Sequence, residues 1–152
     1  MSKRLAEVRL ASLDDILGIR DTIEKARALA HEFLPEAEYP YALQYTMDLI
    51  AQGLCWVAVA DGKVIGCAMA DRGHWPWNRK AVFLDAMHFW VEPQARRGGV
   101  ATGLIAAMRA KAADLGCPLR INITYPDGNA EIKDRMMRMA GFQYLGGSFW
   151  CK

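Results

Sequence analysis

The chain lacks any long apolar run, and nothing in it approaches the roughly 20 residues of a membrane-spanning helix. Its start, MSKRLAEVRL, lacks the apolar centre of a signal peptide, so no secretory leader is expected. No C-x-x-C pair and no Cys/His ligand spacing occurs among Cys55, Cys67, Cys117 and Cys151. That argues against a zinc site or a disulfide framework, and the four read as reduced thiols of a cytoplasmic protein with no metal. An excess of one charge is also missing. Nineteen Lys and Arg against 17 Asp and Glu leave +2, too little to argue for nucleic acid. Repeats, low-complexity tracts and linkers are absent. What remains is 152 residues, 53% hydrophobic and 24% charged, which fits one globular domain over 1–152 with a sizeable core.

Residues 83–115 organise that domain. FLDAMHFWVEP is apolar and aromatic and ends at Pro93, as a buried strand does. LIAAMRAKAADL sets Leu104, Ile105, Met108, Ala112 and Leu115 at helical spacing. Between them lies Arg96-Arg97-Gly98-Gly99. A strand that feeds a glycine-rich turn into a helix gathers unpaired N–H groups and the positive end of the helix dipole at one point, which suits an anion. Arg96 and Arg97 add countercharge. Two phosphate motifs fail here: glycines at 98, 99 and 103 do not make G-x-G-x-x-G, and no Gly-Lys-Ser/Thr follows. The same residues also suit a plain strand–helix turn that binds nothing.

In chain order, residues 4–10 read as a strand. Ser12 with Asp14 and Asp15 starts a helix whose apolar face runs from Ile16 to Phe33 before Pro35 stops it. A second helix spans about 41–52. Residues 54–60 and 64–70 form a hairpin about Asp61-Gly62. Residues 71–80, with Gly73, Pro76, Trp75 and Trp77, read as a loop whose tryptophans cover the sheet or line an acceptor site. A strand over 81–91 and the central helix follow. Then come a strand over 119–125, a turn at 126–129, a helix over 130–140 closed by Gly141, and two last strands over 142–145 and 148–151.

Val91-Glu92-Pro93 followed by Arg96-Arg97-Gly98-Gly99-Val100-Ala101 resembles motif A of the GCN5-related N-acetyltransferases (GNAT family). That motif is Q/R-x-x-G-x-G/A after a V-x-P strand end, and Arg96, Gly99 and Ala101 fill its first, fourth and sixth positions. The element order β-α-α-β-β-β-α-β-α-β-β is also that of the GNAT fold. The resemblance implies an α/β (α+β) architecture: a mixed central sheet of about seven strands flanked by four helices, splayed between strands 4 and 5. It also implies an acyl-CoA-dependent N-acyltransferase that moves acetyl from acetyl-CoA to a primary amine of a small molecule or peptide by direct attack on the thioester.

By the same resemblance, Arg96, Arg97, Gly98, Gly99, Val100 and Ala101 hold the pyrophosphate of coenzyme A, with the Thr102 hydroxyl as a further donor. The backbone of Phe89, Trp90 and Val91 pairs with pantetheine like an added strand, and Asn129 contacts it too. The family's strand-4 glutamate falls on Phe83, which cannot take a proton. Asp85, two residues on and therefore on the same side, is the first candidate base. His88, on the opposite face, is the second. The family's L-Y-x-x-x-G-F becomes Met136-Met137-Arg138-Met139-Ala140-Gly141-Phe142, so Met137 stands where the proton-donating tyrosine should, and either Tyr125 or Tyr144 substitutes or the low-pKa thiolate leaves without help. Two other readings stand beside this one. Phe83 and Met137 suit a catalytically silent CoA-binding module. Arg72, Arg79, Lys80, Arg96 and Arg97 with Trp75 and Trp77 suit an acyltransferase for aminoacyl-tRNA or a modified nucleobase, although a solvated basic rim is the plainer reading of these residues. Homodimerisation stays open.

Overall fold

Asp61-Gly62 adopts positive φ angles of 49° and 73°, the backbone that a two-residue hairpin needs and that Asp and Gly tolerate. The hairpin it closes is the middle of a five-stranded sheet. The computed structural model describes residues 6–30, 34–122 and 130–146. In chain order these form β1 (Glu7–Leu10), α1 (Ile16–Leu29), α2 (Tyr39–Ala51), β2 (Cys55–Ala60), β3 (Lys63–Trp75), β4 (Asn78–Val91), α3 (Val100–Asp114), β5 (Leu119–Ile121) and α4 (Ala130–Met139). The sheet order is β1-β2-β3-β4-β5, antiparallel throughout except for the parallel β4/β5 pair.

The start of α1 is fixed locally. The Ser12 backbone N–H donates to Asp15 Oδ2 at 2.8 Å, and Arg9 of β1 grips the same carboxylate at 2.7 and 2.9 Å. The Arg9 guanidinium holds that carboxyl below the usual carboxylate range. α1 then buries Ile19, Thr22 and Ala26.

The helices divide between the two faces. Gly66 lies beneath α3, and a Cβ there would stand 2.9 Å from Val100 Cγ1. The neighbouring Cys67 points the other way, toward Thr22 of α1, and hydrogen bonding to Cys55 together with burial pushes its thiol up. The core gathers on both faces of the sheet, around Leu54 just before β2, Val57, Ala68 and Leu84 on the strands and Leu104 and Met108 on α3.

Several elements differ from the sequence reading. Residues 71–80 are not a loop. β3 runs on to Trp75 and β4 starts at Asn78, so beyond the Arg72/Leu84 pair, the last one flanked by β5, the hairpin extends as a two-stranded arm over residues 73–75 and 78–83, roughly 10 Å long on the β3 side. Trp75 stacks on Trp77 with centroids 5.2 Å apart and lies 5.2 Å from Phe83, so ring packing carries the strand through Gly73. α1 ends at Leu29, and Phe33 lies outside the described residues. Residues 142–146 form no strand, and 148–151 lie outside the described residues, so five strands are seen in place of about seven. β5 is shorter than expected at Leu119–Ile121, and 123–125 are likewise outside the described set.

Because a methyl at position 66 would press on Val100 at the first turn of α3, Gly66→Ala is expected to cost about 1–3 kcal/mol of stability. Urea denaturation checks this. A variant as stable as wild type would mean that α3 does not approach the sheet this closely.

Candidate functional site

β4 and β5 stay paired for only three residues, Leu84 with Leu119, Asp85 with Arg120 and Ala86 with Ile121. The cause of their parting lies on the other side of β4. Met69 pairs with His88 and Ala70 with Ala86, which leaves Met87 as an extra residue, a β-bulge. The backbone hydrogen bonds show its effect. Leu84 N–H donates to Pro118 O at 2.9 Å on the β5 side, whereas Glu92 N–H, eight residues later and of the same parity, donates to Ile65 O at 2.9 Å on the β3 side. The bulge therefore turns the amides of Phe89 and Val91 away from β3 and toward the gap.

That gap is a cleft of about 450 Å³. Phe89, Trp90 and Val91 form its strand side, Ala101 and Ile105 of α3 one wall, and Ile132, Lys133, Met136 and Met137 of α4 another. At its mouth stand Arg96 and Arg97. Arg96 Nε donates to Val91 O at 3.1 Å and its guanidinium carbon lies 5.5 Å from the Trp90 ring centroid, while Arg97 is exposed.

α3 begins beside this mouth. Gly99 is its N-cap with φ 79°, a left-handed conformation that costs a side-chain-bearing residue roughly 1–2 kcal/mol. A Cβ at Gly99 would meet nothing within 4 Å. Gly103 N–H makes the bond to Gly99 O at 2.9 Å, so the amides of Val100, Ala101 and Thr102 precede the helical ladder, and no side chain caps them. The turn is thus a set of outward N–H donors at the positive end of a helix, flanked by arginines. Gly98 contributes shape more than a donor, because its N–H is spent on Ala95 O at 3.0 Å. Val100 is buried and Thr102 is exposed without lining the cleft.

Asp85 sits where the strands part. Its carboxylate is gripped by Arg120 through Nε at 2.9 Å and Nη2 at 2.6 Å, and it holds that guanidinium even more firmly protonated than usual. Asp71 lies directly opposite on β3, and such a pair of like charges is unfavourable by itself. Arg120 relieves one carboxylate, while Tyr45 of α2 at 2.6 Å and the Arg72 N–H at 2.7 Å satisfy the other. Burial, and then the bond to Asp71, raise the Tyr45 pKa.

His88 corrects the expectation of strict alternation. Across the bulge it shares the α1/α2 face with Asp85, because its Nε2 lies 3.0 Å from Thr22 Oγ1 of α1 while Asp71, the partner of Asp85, bonds to α2. The single Thr22 hydroxyl proton goes to Ile19 O at 2.7 Å, so His88 Nε2 carries the hydrogen in this contact. Burial pushes the imidazole down to about 4. His88 is 7% exposed and does not line the cleft. Tyr125 and Asn129 lie outside the described residues. Tyr144 is exposed, and Met137 puts a thioether on the cleft wall.

The sequence reading missed Arg120, Tyr45, Asn122 and Lys133. Helical spacing alone could have found Lys133, one turn before Met137 on the same face of α4. Among the described residues no His, Cys, Asp and Glu gather to hold a metal, and no helix is long and apolar enough to cross a membrane.

The parallel strands β4 and β5 part beyond Ala86 and face the bare N-terminus of α3, which is the splay between strands 4 and 5 that the resemblance implies. A sequence profile of the Acetyltransferase (GNAT) family matches residues 20–142, and the chain belongs to that family of N-acetyltransferases. Solved structures of the same fold include the aminoglycoside acetyltransferase AAC(6')-Iy in complex with a CoA-containing bisubstrate analogue (18% identity, 97% of each chain, TM-score 0.72). A predicted acetyltransferase from Clostridium acetobutylicum with acetyl-CoA shares 19% identity over 97% of this chain and 96% of that one, with a TM-score of 0.69. An aminoglycoside 6'-N-acetyltransferase from Acinetobacter haemolyticus shares 21% over 96% and 97%, with a TM-score of 0.63. No curated protein sequence matches the chain.

The buried histidine makes stability depend on pH. Unfolded, it binds a proton near 6.5; folded, only near 4. Stability is therefore complete above about 6.5 and falls as pH drops toward 4, by up to about 3 kcal/mol. Urea midpoints between pH 7 and 4 check this. His88→Gln should flatten the dependence over that window, and an unchanged slope would show that another group carries it.

Proposed function

We propose that the protein moves an acyl group, acetyl in the simplest case, from acetyl-CoA to a primary amine of a small molecule or peptide. The neutral amine nitrogen bonds to the thioester carbonyl carbon, the carbon–sulfur bond breaks, and the proton lost by the nitrogen passes, directly or through solvent, to the departing sulfur, which leaves as the coenzyme A thiol. The observation that carries this reading is the bulge at Met87, which frees the Phe89 and Val91 amides beside the α3 N-terminus. The residues present fit the donor. A diphosphate finds the Val100, Ala101 and Thr102 amides and Arg97, and an extended amide chain finds the edge of β4 and the apolar walls of Ile105, Ile121 and Met136. The thioester supplies an already activated carbonyl. The chain's part is to hold it in place, shielded by apolar walls, for the incoming amine.

In this reading Asp85 is a positioning residue. Both of its oxygens are committed to Arg120, and the pair pins β4 to β5 just before they part. The acceptor reaches the apex from the α1/α2 face, between Tyr41 and Tyr45 of α2 and the aromatic arm of Trp75, Trp77 and Phe83. The aminoglycosides named for the structural relatives support a polar amine of modest size as acceptor. The buried free thiols Cys55 and Cys67 support a reducing, cytoplasmic setting.

Thiol release from acetyl-CoA over a panel of amines tests the activity. Arg97→Ala should raise KM for acetyl-CoA about tenfold or more with kcat retained. Asp85→Asn separates the two roles open to that residue. As a pin its loss lowers stability and cuts kcat/KM by less than about tenfold with the pH profile unmoved. A general base would cost about 100-fold or more and would remove the acidic limb of the profile.

A further inference from the structure

Asp71 and Asp85 are cross-strand partners on β3 and β4, a pairing that sets two side chains about 5 Å apart on one face of a sheet. Their hydrogen-bond partners differ in kind. Asp85 is neutralised by the two-point grip of Arg120. Asp71 is held by neutral donors, the Tyr45 hydroxyl at 2.6 Å on Oδ2 and the Arg72 backbone N–H at 2.7 Å on Oδ1. Among the described residues no cation pairs with it. A carboxylate can accept about four hydrogen bonds, so each oxygen keeps a free lone pair. The side chain is part-exposed.

Folding does not call for this second charge. Directly opposed carboxylates repel, and an asparagine oxygen would accept from Tyr45 without that repulsion. The surroundings instead hold the charge in one orientation. Tyr45 stacks on Tyr41 with ring centroids 6.2 Å apart. Burial, and then the bond to Asp71, raise the Tyr45 pKa, so its hydroxyl stays a donor. The Asp71 carboxylate thus faces the α1/α2 side, one residue pair before β4 and β5 cease to pair at Ala86 and Ile121. An amine that attacks a carbonyl at this point develops what Asp71 lacks, a positive charge with N–H donors.

We propose that Asp71 is the catalytic carboxylate on the acceptor side: it takes a hydrogen bond from the attacking nitrogen and stabilises the positive charge that forms there as the nitrogen bonds to the thioester carbonyl carbon. The inference rests on the acyl-CoA reading of the cleft. The proton of that nitrogen moves on to the sulfur as the carbon–sulfur bond breaks, and Asp71 is unchanged at the end.

The test uses the full chain with acetyl-CoA as donor and spermidine, neamine and a lysine-containing tripeptide as acceptors, with thiol release followed for each. Asp71→Asn should lower kcat/KM for the amine about 10- to 100-fold and leave KM for acetyl-CoA unchanged. Its urea midpoint should be no lower than that of wild type, because an opposed charge is gone. Tyr45→Phe keeps the carboxylate but loses the donor that orients it, and should cost about threefold to tenfold in the same constant. The proposal is overturned if Asp71→Asn turns over amines as wild type does, or if its loss of rate comes with a lower urea midpoint or a raised KM for acetyl-CoA. If coenzyme A binds by calorimetry but wild type releases thiol with none of the three amines, this proposal falls and the donor reading stands. If coenzyme A does not bind, both fall.

Discussion

Met87 is the residue between Asp85 and Val91 that has no partner on β3, because β4 spends two residues there where β3 spends one. The cleft follows from that extra residue. It reverses which amides face β3, so the edge that would have continued pairing with β5 instead presents Phe89 and Val91 to open space. It also brings His88 to the face already used by Asp85. A bulge leaves the strand locally unsatisfied and more strongly twisted, and a sheet tolerates it where both ends are firmly held.

The ends of this segment are held by charge and by close packing. Arg120 grips Asp85 on the near side of the bulge. On the far side Lys25 of α1 pairs with Glu92, a 7% exposed carboxylate, just before the chain turns into α3. Gly66 lets Val100 settle against β3, which places the first turn of α3 and its bare amides at the mouth of the cleft. Breaking one partner of such a part-buried pair leaves a charge with poor solvation, so each pair acts as a clamp more than as a source of net stability. A rigid frame around an open edge suits a reaction whose electrophile arrives activated, since placement then supplies much of the rate.

The strand, turn and helix of residues 83–115 were legible because their signals are local. An apolar run stopped by proline, adjacent glycines, and a helical stripe each report on neighbours within a few residues. Gly99 needs its positive φ wherever the rest of the chain lies. The bulge was not legible, since nothing in Ala86-Met87-His88 marks which residue its partner strand will skip, and strict alternation therefore set Asp85 and His88 on opposite faces. Gly73, Pro76 and two tryptophans read as a loop, yet ring stacking between Trp75, Trp77 and Phe83 extends the strands through them. Arg120 was overlooked because its meaning depends on register: opposite Asp85 it is a pin, and one residue away it would be a surface cation. The replacement of the family's tyrosine by Met137 was plain in the sequence, and the structure puts its thioether, with no proton to offer, on the cleft wall.

The central claim is that β4 offers free amides to an acyl donor beyond its bulge. Amide hydrogen exchange with and without coenzyme A tests it most directly. The account predicts new protection at Phe89 and Val91 and over residues 100–102, with the β2–β3 ladder unchanged. Equal exchange in the two states at those five amides, with coenzyme A shown to be bound, would contradict it.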